Sequence, residues 1–201
     1  MLKNIIFDFG NVLIDFKSDK ILNHYDLSKE EHELLNKAIF GSNEWLKIDA
    51  GELTEDEATE IFKKRLPERL HPQVEQIMQT WPAKVTFYPE MLDFMQKLHE
   101  QGYHLYALSN TGMRFANYLM NGKYGQYFEG EVFSAKEKLM KPGSEIYPTL
   151  LDRYNLDPSE SLFIDDRPEN IEAARKLGMH GFVFTIENLP ELKEDIEELS
   201  K

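Results

Sequence analysis

Short apolar runs alternate with polar and charged stretches along the chain, and several of these runs stop abruptly at a small or polar residue. The runs have the length of a strand, are rich in β-branched or aromatic residues and lack a strict alternation of apolar and polar positions. Strands that are buried on both faces of a parallel sheet have this pattern. It predicts five strands, at residues 5–7, 103–110, 131–135, 161–166 and 181–185.

Segments with helical spacing lie between the later strands. Residues 89–102 begin with a proline, close on a glycine and place Met91, Met95 and Leu98 on one face, as expected for an amphipathic helix. Residues 167–178 close on a glycine in the same way. Strands that alternate with helices predict an α/β fold with a doubly wound, mostly parallel, Rossmann-like sheet.

The stretch between the first two predicted strands has a different pattern. Ser28 with Glu31 and Thr54 with Glu57 have the spacing of capping boxes, which begin helices, and no strand pattern is found between them. We therefore expect an inserted, all-helical cap. The predicted domains are an α/β catalytic core of residues 1–16 and 88–201 and a helical cap of residues 17–87.

Composition and charge limit the possible functions. The chain has 201 residues, 41% of them hydrophobic, no cysteine and a formal net charge of −13. Such a charge argues against binding to nucleic acid or to an anionic membrane, and it requires a local cationic site for any phosphate-bearing ligand. A thiol nucleophile is excluded. We expect a cytoplasmic protein that is monomeric by default.

Polar residues follow the ends of the predicted strands. In open α/β sheets ligands bind outside the carboxyl ends of the strands, so we expect these side chains to converge. Carboxylates, a hydroxyl, an amide and a lysine at one edge fit phosphoryl transfer through an aspartyl-phosphate with bound Mg²⁺. The residues are Asp8, Ser109, Asn110, Lys141, Asp165 and Asp166.

Four short motifs occur in a fixed order, each near the end of a predicted strand: IFDFGNV, LSNT, KP and FIDDRPENIEAA. Each motif alone is weak, but together they resemble the haloacid dehalogenase superfamily, in the branch with a helical cap after the first strand. Within that branch the chain is similar to small sugar-phosphate phosphatases such as glucose-1-phosphate phosphatases. The resemblance implies a magnesium-dependent hydrolase that removes phosphate from a small phosphorylated metabolite, a sugar phosphate in particular.

The resemblance also implies roles for individual residues. Asp8 would be the nucleophile that attacks phosphorus. Ser109 and the backbone amide of Asn110 would bind the phosphoryl oxygens. Lys141, identified by the proline that follows it, would neutralise charge on the nucleophile and the phosphoryl group, with Lys136 and Lys138 as the nearby alternatives.

The metal site follows from the same motifs. The Mg²⁺ ligands would be Asp8, the backbone carbonyl of Gly10 and Asp166. Asp165 would be a supporting acid, because adjacent side chains of a strand point to opposite faces. Asn170 would be an outer-sphere partner that hydrogen-bonds a metal-bound water or Asp166.

Gly10 is a departure from the family pattern. Most phosphatases of the superfamily have a second aspartate at this position, which protonates the leaving alcohol and later activates water. Either the substrate leaves without acid help, or Asp15 or Asp49 replaces the missing acid, or turnover is slow and the protein is a phosphate-binding regulatory module. A metal-independent dehalogenase, which also lacks the second acid, is a further alternative, although the acidic pair Asp165–Asp166 speaks against it.

Two cap residues are candidates for substrate contact. Trp45 could stack on a sugar face, and Asp49 could accept hydrogen bonds from hydroxyls. The alternative, which we favour for any single cap residue, is that Trp45 fills the core of the cap and Asp49 belongs to the turn before Gly51.

Overall fold

The computed structural model describes all 201 residues of the chain. Its main sheet consists of β1 (Asn4–Phe7), β4 (His104–Ser109), β5 (Phe128–Phe133), β6 (Ser161–Asp165) and β7 (His180–Val183). These strands are all parallel and lie in the order β5-β4-β1-β6-β7. The predicted α/β fold with a parallel sheet is confirmed, and each predicted strand is present. β5 begins earlier than predicted and ends before Ser134, which starts a helix.

β1 is the central strand of the sheet. Phe7, its last residue, is in register with Ala107 of β4 on one side and with Ile164 of β6 on the other. All residues of β1 are buried, because neighbouring strands cover both its edges and helices cover both faces, and this explains its continuous apolar sequence. Asp8, which follows β1, therefore lies at the middle of the carboxyl edge.

The helices between β1 and β4 include the predicted helical insertion. Both capping boxes are formed, by Ser28 with Glu31 and by Thr54 with Glu57. The helices before residue 87 are α1 (Ser18–Leu22), α2 (Lys29–Ala38), α3 (Asn43–Asp49), α4 (Glu55–Arg65) and α5 (His71–Thr80). The later helices are α6 (Pro89–Glu100), α7 (Met113–Met120), α8 (Ser134–Glu137), α9 (Ile146–Tyr154), α10 (Pro168–Arg175) and α11 (Leu189–Leu199).

A second, two-stranded sheet lies where the helical segment leaves and rejoins the rest of the chain. β2 (Ile14–Asp15) pairs antiparallel with β3 (Thr86–Phe87). Neither strand was predicted, since two residues are too few to produce a periodic pattern. The division of the chain into a core and a cap at residues 16/17 and 87/88 stays a prediction.

The hydrophobic core is continuous between the sheet and the inserted helices. One cluster of 39 buried side chains includes both β1 and helices α2 to α5, and a second cluster of 12 lies mainly beneath α9 and α10. Aromatic rings bridge the first cluster: Trp81 stacks on Phe115 of α7 with centroids 5.2 Å apart, and packs edge-on against Trp45 of α3 at 5.2 Å. Such pairs add about 0.5–1.5 kcal/mol each beyond the burial of their surface. The helices therefore pack firmly over the carboxyl edge of the sheet. Among the helices, none has the length and apolar composition required to span a membrane.

Candidate active site

Asp8 lies at the start of a tight turn that begins where β1 ends. Its backbone N–H still donates to the carbonyl of Ile164 at 3.0 Å, which continues the sheet by one residue. The chain then curls back, and the carbonyl of Phe9 accepts hydrogen bonds from the N–H groups of Leu13 and Ile14. Asn11 adopts a left-handed conformation in this turn, with φ at 54°. Asp8 is thus held by a rigid strand and is only 8% exposed.

Lys141 brings a positive charge to the same point. Its ammonium group lies 3.0 Å from Asp8 Oδ1 and 2.6 Å from Asp165 Oδ2, and donates to the carbonyl of Leu108 at 2.9 Å. Lys141 is 3% exposed, whereas Lys136 pairs with Glu131 near the surface at 3.7 Å. Of the lysines in this segment, Lys141 is thus the one that reaches the carboxylates.

The two acidic residues after β6 have different surroundings. Asp165 is fully buried, and its oxygens accept hydrogen bonds from Lys141, from the backbone N–H of Arg167 at 2.9 Å and from Asn170 at 2.9 and 3.0 Å. Asp166 is only partly buried, and its Oδ2 accepts a hydrogen bond from Asn11 at 2.9 Å. Asp165 is therefore saturated by protein donors, whereas Asp166 retains an oxygen for a ligand.

The expected hydrogen bond between Asn170 and Asp166 is wrong, whereas the alternative, a hydrogen bond to a metal-bound water, stays a prediction. The side-chain amide of Asn170 donates to Asp165 and not to Asp166, because α10 begins just after the strand and turns this side chain back beneath the buried carboxylate. Its Oδ1 is buried without a hydrogen-bond partner. Asn170 therefore orients the supporting acid instead of the partly exposed one.

The segment after β4 joins two loops at the site. The Asn110 side chain donates to the carbonyl of Lys141 and accepts from the backbone N–H of Lys141, both at 2.9 Å. With its side chain engaged in this way, the backbone N–H of Asn110 makes no hydrogen bond within the protein. Ser109 is buried, and its hydroxyl lies close enough to Asp8 to lower the pKa of that carboxyl. This arrangement leaves a hydroxyl and a backbone N–H to bind an anion.

The electrostatics of the cluster follow from its burial. Burial raises the pKa of Asp8 to about 6, with repulsion from Asp165 adding to the rise and attraction to Lys141 opposing it. Burial by itself would lower the pKa of Lys141, but Asp8 and Asp165 outweigh it and raise that pKa, so the lysine stays charged. Burial also raises the pKa of Asp166. Three carboxyls beside one lysine leave an excess of negative charge that a cation would neutralise.

The donor set fits a hard divalent cation. One carboxylate oxygen each from Asp8, Asp165 and Asp166 lie within 4.8 Å of one another. The carbonyl oxygen of Gly10 accepts no hydrogen bond within the protein. Mg²⁺ prefers such oxygen ligands and keeps several waters, so a few protein oxygens suffice. Because Asp165 is saturated, the oxygens that remain available are those of Asp8, Asp166 and Gly10.

A small cavity of about 110 Å³ adjoins this cluster beneath the inserted helices. Its walls are largely aromatic, and Asp49 is the only titratable residue among them. A larger open groove of about 770 Å³ lies beside α7 and contains none of the clustered carboxylates, so we assign no chemistry to it. The small cavity is lined by Phe9, Gly10, Ile14, Phe16, Trp45, Asp49, Trp81, Ser109, Asn110, Thr111 and Phe115.

The two candidates for the missing acid lie in different environments. Asp15 is buried in β2 and faces Lys17 at 3.2 Å and Lys20 at 2.5 Å. Although burial alone would raise its pKa, hydrogen bonds from these lysines lower it, and Asp15 does not line the cavity. Asp49 ends α3, lines the cavity and accepts a hydrogen bond from the N–H of Gly112 at 2.9 Å. Trp45 both packs in the aromatic cluster and borders the cavity.

Sequence reasoning did not single out Asn11, Thr111 or Ser134. Asn11 contacts Asp166, and Ser134 links Thr111 to the end of α3. The sequence weakly indicated Asn11, since this residue stands in the turn directly after β1 and Asp8. Nothing in the sequence indicated Ser134, because its hydrogen bonds join residues that are far apart in the chain.

The fold and the site together define a class of protein. A buried aspartate at the end of the central parallel strand, a lysine paired with it and an acidic pair on the neighbouring strand are the parts of a hydrolase that works through a carboxylate. The chain matches the haloacid dehalogenase-like hydrolase family over residues 2–178. It belongs to that family.

Individual relatives place the chain among proteins of similar size. It is 27% identical over 196 residues to D-ribitol-5-phosphate phosphatase of Bacteroides thetaiotaomicron. The alignment covers 90% of this chain and 91% of the relative. A haloacid dehalogenase family enzyme of the same organism, solved with magnesium and inorganic phosphate, has a TM-score of 0.72 at 23% identity and covers 96% of this chain and 99% of its own.

The fold is also similar to that of a dehalogenase. L-2-haloacid dehalogenase of Xanthobacter autotrophicus has a TM-score of 0.64 at 15% identity, with 90% of this chain and 76% of that chain covered. Since phosphatases and dehalogenases share the fold, the choice between them depends on the residues of the site.

Proposed function

We propose that this protein is a magnesium-dependent phosphatase that hydrolyses a small phosphorylated metabolite through an aspartyl-phosphate intermediate. One observation carries the proposal: Asp8, Asp165 and Asp166 place carboxylate oxygens within 4.8 Å of one another around a single lysine. Displacement of a halide gains nothing from such an acidic cluster. A phosphoryl group and a divalent cation together need one.

The proposed residue roles follow from the contacts. Asp8 is the nucleophile, since it is held by a strand end and its carboxylate lies beside Lys141. The Ser109 hydroxyl and the free backbone N–H of Asn110 bind the phosphoryl oxygens. Lys141 keeps Asp8 ionised and balances charge on the phosphoryl group, and Asp165 holds Lys141 in place at 2.6 Å.

The proposed Mg²⁺ ligands are Asp8, Asp166 and the carbonyl of Gly10. When bound there, Mg²⁺ neutralises charge on the phosphoryl oxygens. Asn11 fixes the orientation of Asp166 through its 2.9 Å hydrogen bond, and Asn170 does the same for Asp165. Such outer contacts preserve the geometry of the ligands.

The cavity supports a small leaving group. Drug-sized ligands occupy pockets of about 300–1,000 Å³, whereas this cavity has about 110 Å³. Its apolar walls fit the carbon face of a short polyol or sugar, and the phosphoryl group lies at its edge, between Asp8 and the cavity-lining residues Ser109 and Asn110. We therefore infer a phosphate monoester of a small sugar or polyol, a class that includes the substrate named for the Bacteroides relative.

A dehalogenase is the second candidate, because Gly10 removes the acid that most phosphatases of this family have. The experiment that separates the two uses a panel of phosphorylated sugars and polyols and a panel of short 2-haloacids. Each panel is assayed with Mg²⁺ and with EDTA, in the wild type and in Asp8→Asn. We expect phosphate release that requires both Mg²⁺ and Asp8.

Two outcomes would contradict this proposal. Halide release that is unchanged by EDTA would identify a dehalogenase. Phosphate or fluoroberyllate binding without turnover of any substrate would identify a regulatory module.

A further inference from the structure

The position of Gly10 leaves the reaction without a proton donor next to the nucleophile. A Cβ atom placed on Gly10 would have no neighbouring atom within 4 Å, so the space that a second aspartate would fill is open. No acid on β1 or in the turn after it takes over this place, since Asp15 is paired with Lys17 and Lys20 and lies outside the cavity. The donor must therefore come from another wall of the cavity.

We propose that Asp49, at the end of cap helix α3, is the proton donor and subsequently the general base of the reaction. The proposal rests on the phosphatase function proposed above and adds the source of the proton to it. Asp49 is the only titratable residue among the walls of the cavity, where it lies with Gly10, Ser109 and Asn110. Asp49 therefore lines the cavity that we assign to the leaving group.

Asp49 is anchored at two points to the segment of residues 109–112, which contains the proposed phosphate-binding residues Ser109 and Asn110. Its Oδ1 accepts a hydrogen bond from the N–H of Gly112 at 2.9 Å. Its backbone carbonyl accepts one from the Ser134 hydroxyl at 2.5 Å, and that hydroxyl in turn accepts one from the N–H of Thr111 at 2.8 Å. Asp49 Oδ2 makes no hydrogen bond with the protein and remains available to a substrate.

Two glycines permit this close approach of the cap helix. A Cβ on Gly112 would lie 2.6 Å from Ile48 Cγ2, and a Cβ on Gly51 would lie 2.2 Å from the carbonyl oxygen of Ala135. Gly51 also has a φ of +70°, a conformation that side chains disfavour. The end of α3 is therefore packed closely against Gly112, in the segment that follows Ser109 and Asn110, and against the backbone of Ala135, which fixes the position of Asp49.

The surroundings of Asp49 suit a group that first gives and then takes a proton. Burial raises the pKa of Asp49 to about 7, and the negative charges of Glu55 on α4 and of Asp8 after β1 add to this rise, against the hydrogen bond from Gly112. Efficient acid–base catalysts have a pKa close to the working pH. Both protonation states of Asp49 are therefore populated near neutral pH.

The proposed reaction has two steps. An oxygen of Asp8 forms a bond to phosphorus while the bond from phosphorus to the alcohol oxygen breaks, and Asp49 gives its proton to that oxygen. A water oxygen then attacks phosphorus and gives a proton to the Asp49 carboxylate, while the bond from phosphorus to Asp8 breaks. The products are the alcohol and inorganic phosphate, with Asp8 ionised and Asp49 protonated again.

The test compares two small substrates that differ in their need for an acid. A polyol phosphate releases a basic alkoxide that must be protonated, whereas acetyl phosphate releases acetate, which needs no proton. Rapid-quench single-turnover measurements follow the release of polyol or acetate in the wild type and in Asp49→Asn. We expect polyol release to fall by about 10²–10⁴-fold and acetate release by less than about tenfold, with phosphoenzyme accumulating because the second step lacks its base.

Controls separate a chemical role from a structural one. Asparagine keeps an oxygen that accepts from Gly112, and Glu44→Gln alters an acid on the same helix that pairs with Arg65 at 2.6 Å, away from the cavity. Glu44→Gln should leave both rates within about twofold. Equal losses on both substrates in folded Asp49→Asn, or no loss on the polyol phosphate, would overturn the assignment.

The pH dependence gives a second readout that does not require the variant to fold. The acid must be protonated to act, so polyol release in the wild type should decline as the pH rises through about 7. The same limb should be absent for acetate release. A wild-type profile without this limb would overturn the role of Asp49, whereas a wild type that hydrolyses neither substrate would contradict the proposed phosphatase function itself.

Discussion

Lys141 is the single positive charge among the buried carboxylates, and its removal tests the electrostatic account of the site directly. Lys141→Met keeps the apolar stem of the side chain and removes the ammonium group. That group lies 2.6 Å from Asp165 and 3.0 Å from Asp8. The variant thus leaves two close carboxylates without their counterion.

The size of the effect follows from the burial of the group. Removing one partner of a buried ion pair costs about 3–5 kcal/mol. For a protein of this length 1 kcal/mol shifts the melting temperature by about 2–4 °C, so we expect a decrease of about 6–20 °C at pH 8 in EDTA. The loss should be smaller at pH 6, because the carboxylates of the variant take up a proton, and each proton bound contributes about 1.4 kcal/mol per pH unit.

Thermal denaturation at pH 6 and pH 8 checks this expectation. Lys136→Met is the matched control, since Lys136 is exposed and lies 3.7 Å from Glu131, and such surface pairs contribute about 0–1 kcal/mol. Equal destabilisation of Lys141→Met at both pH values would refute the reasoning, as would a loss no larger than that of the control.

Three further predictions concern the same region. The pKa of Asp8 is raised from 3.8 to about 6 in the folded protein, so the stability that its neutral form contributes is full below pH 3.8 and is lost as the pH rises through about 6. In EDTA, the free energy of unfolding of Asp8→Asn relative to that of the wild type should therefore increase by about 1–2 kcal/mol as the pH rises from 5 to 8. Denaturant titrations at the two pH values that find no such increase would contradict this. Gly51→Ala should destabilise the protein more than Gly102→Ala, because both glycines have a positive φ but only Gly51 would bring its Cβ within 2.2 Å of a carbonyl oxygen; melting curves of the two variants provide the comparison. Millimolar Mg²⁺ should raise the melting temperature of the wild type, since a ligand that binds the folded state stabilises it. Asp166→Asn should lose most of this increase, and an undiminished shift would remove Asp166 from the set of proposed metal ligands.

The fold was predictable because its signals are local. Strands buried on both faces have continuous apolar sequences, and the five runs appear as the parallel strands of one sheet. Capping boxes depend on side chains three residues apart, and both formed as predicted. The two-residue strands β2 and β3 were not predictable, because their pairing joins residues about 70 positions apart.

The sequence by itself determined which polar residues reach the carboxyl edge of the sheet, because a parallel strand delivers the residue that follows it to one edge. Through its resemblance to the family, it also showed that Gly10 stands where most related phosphatases have a second acid. Only the tertiary structure decided which neighbours these residues have. It paired Asn170 with Asp165, and it separated Asp15, held by two lysines, from Asp49, which lies in the wall of the cavity. Such contacts depend on how the inserted helices pack against the sheet, and no local sequence pattern predicts that packing.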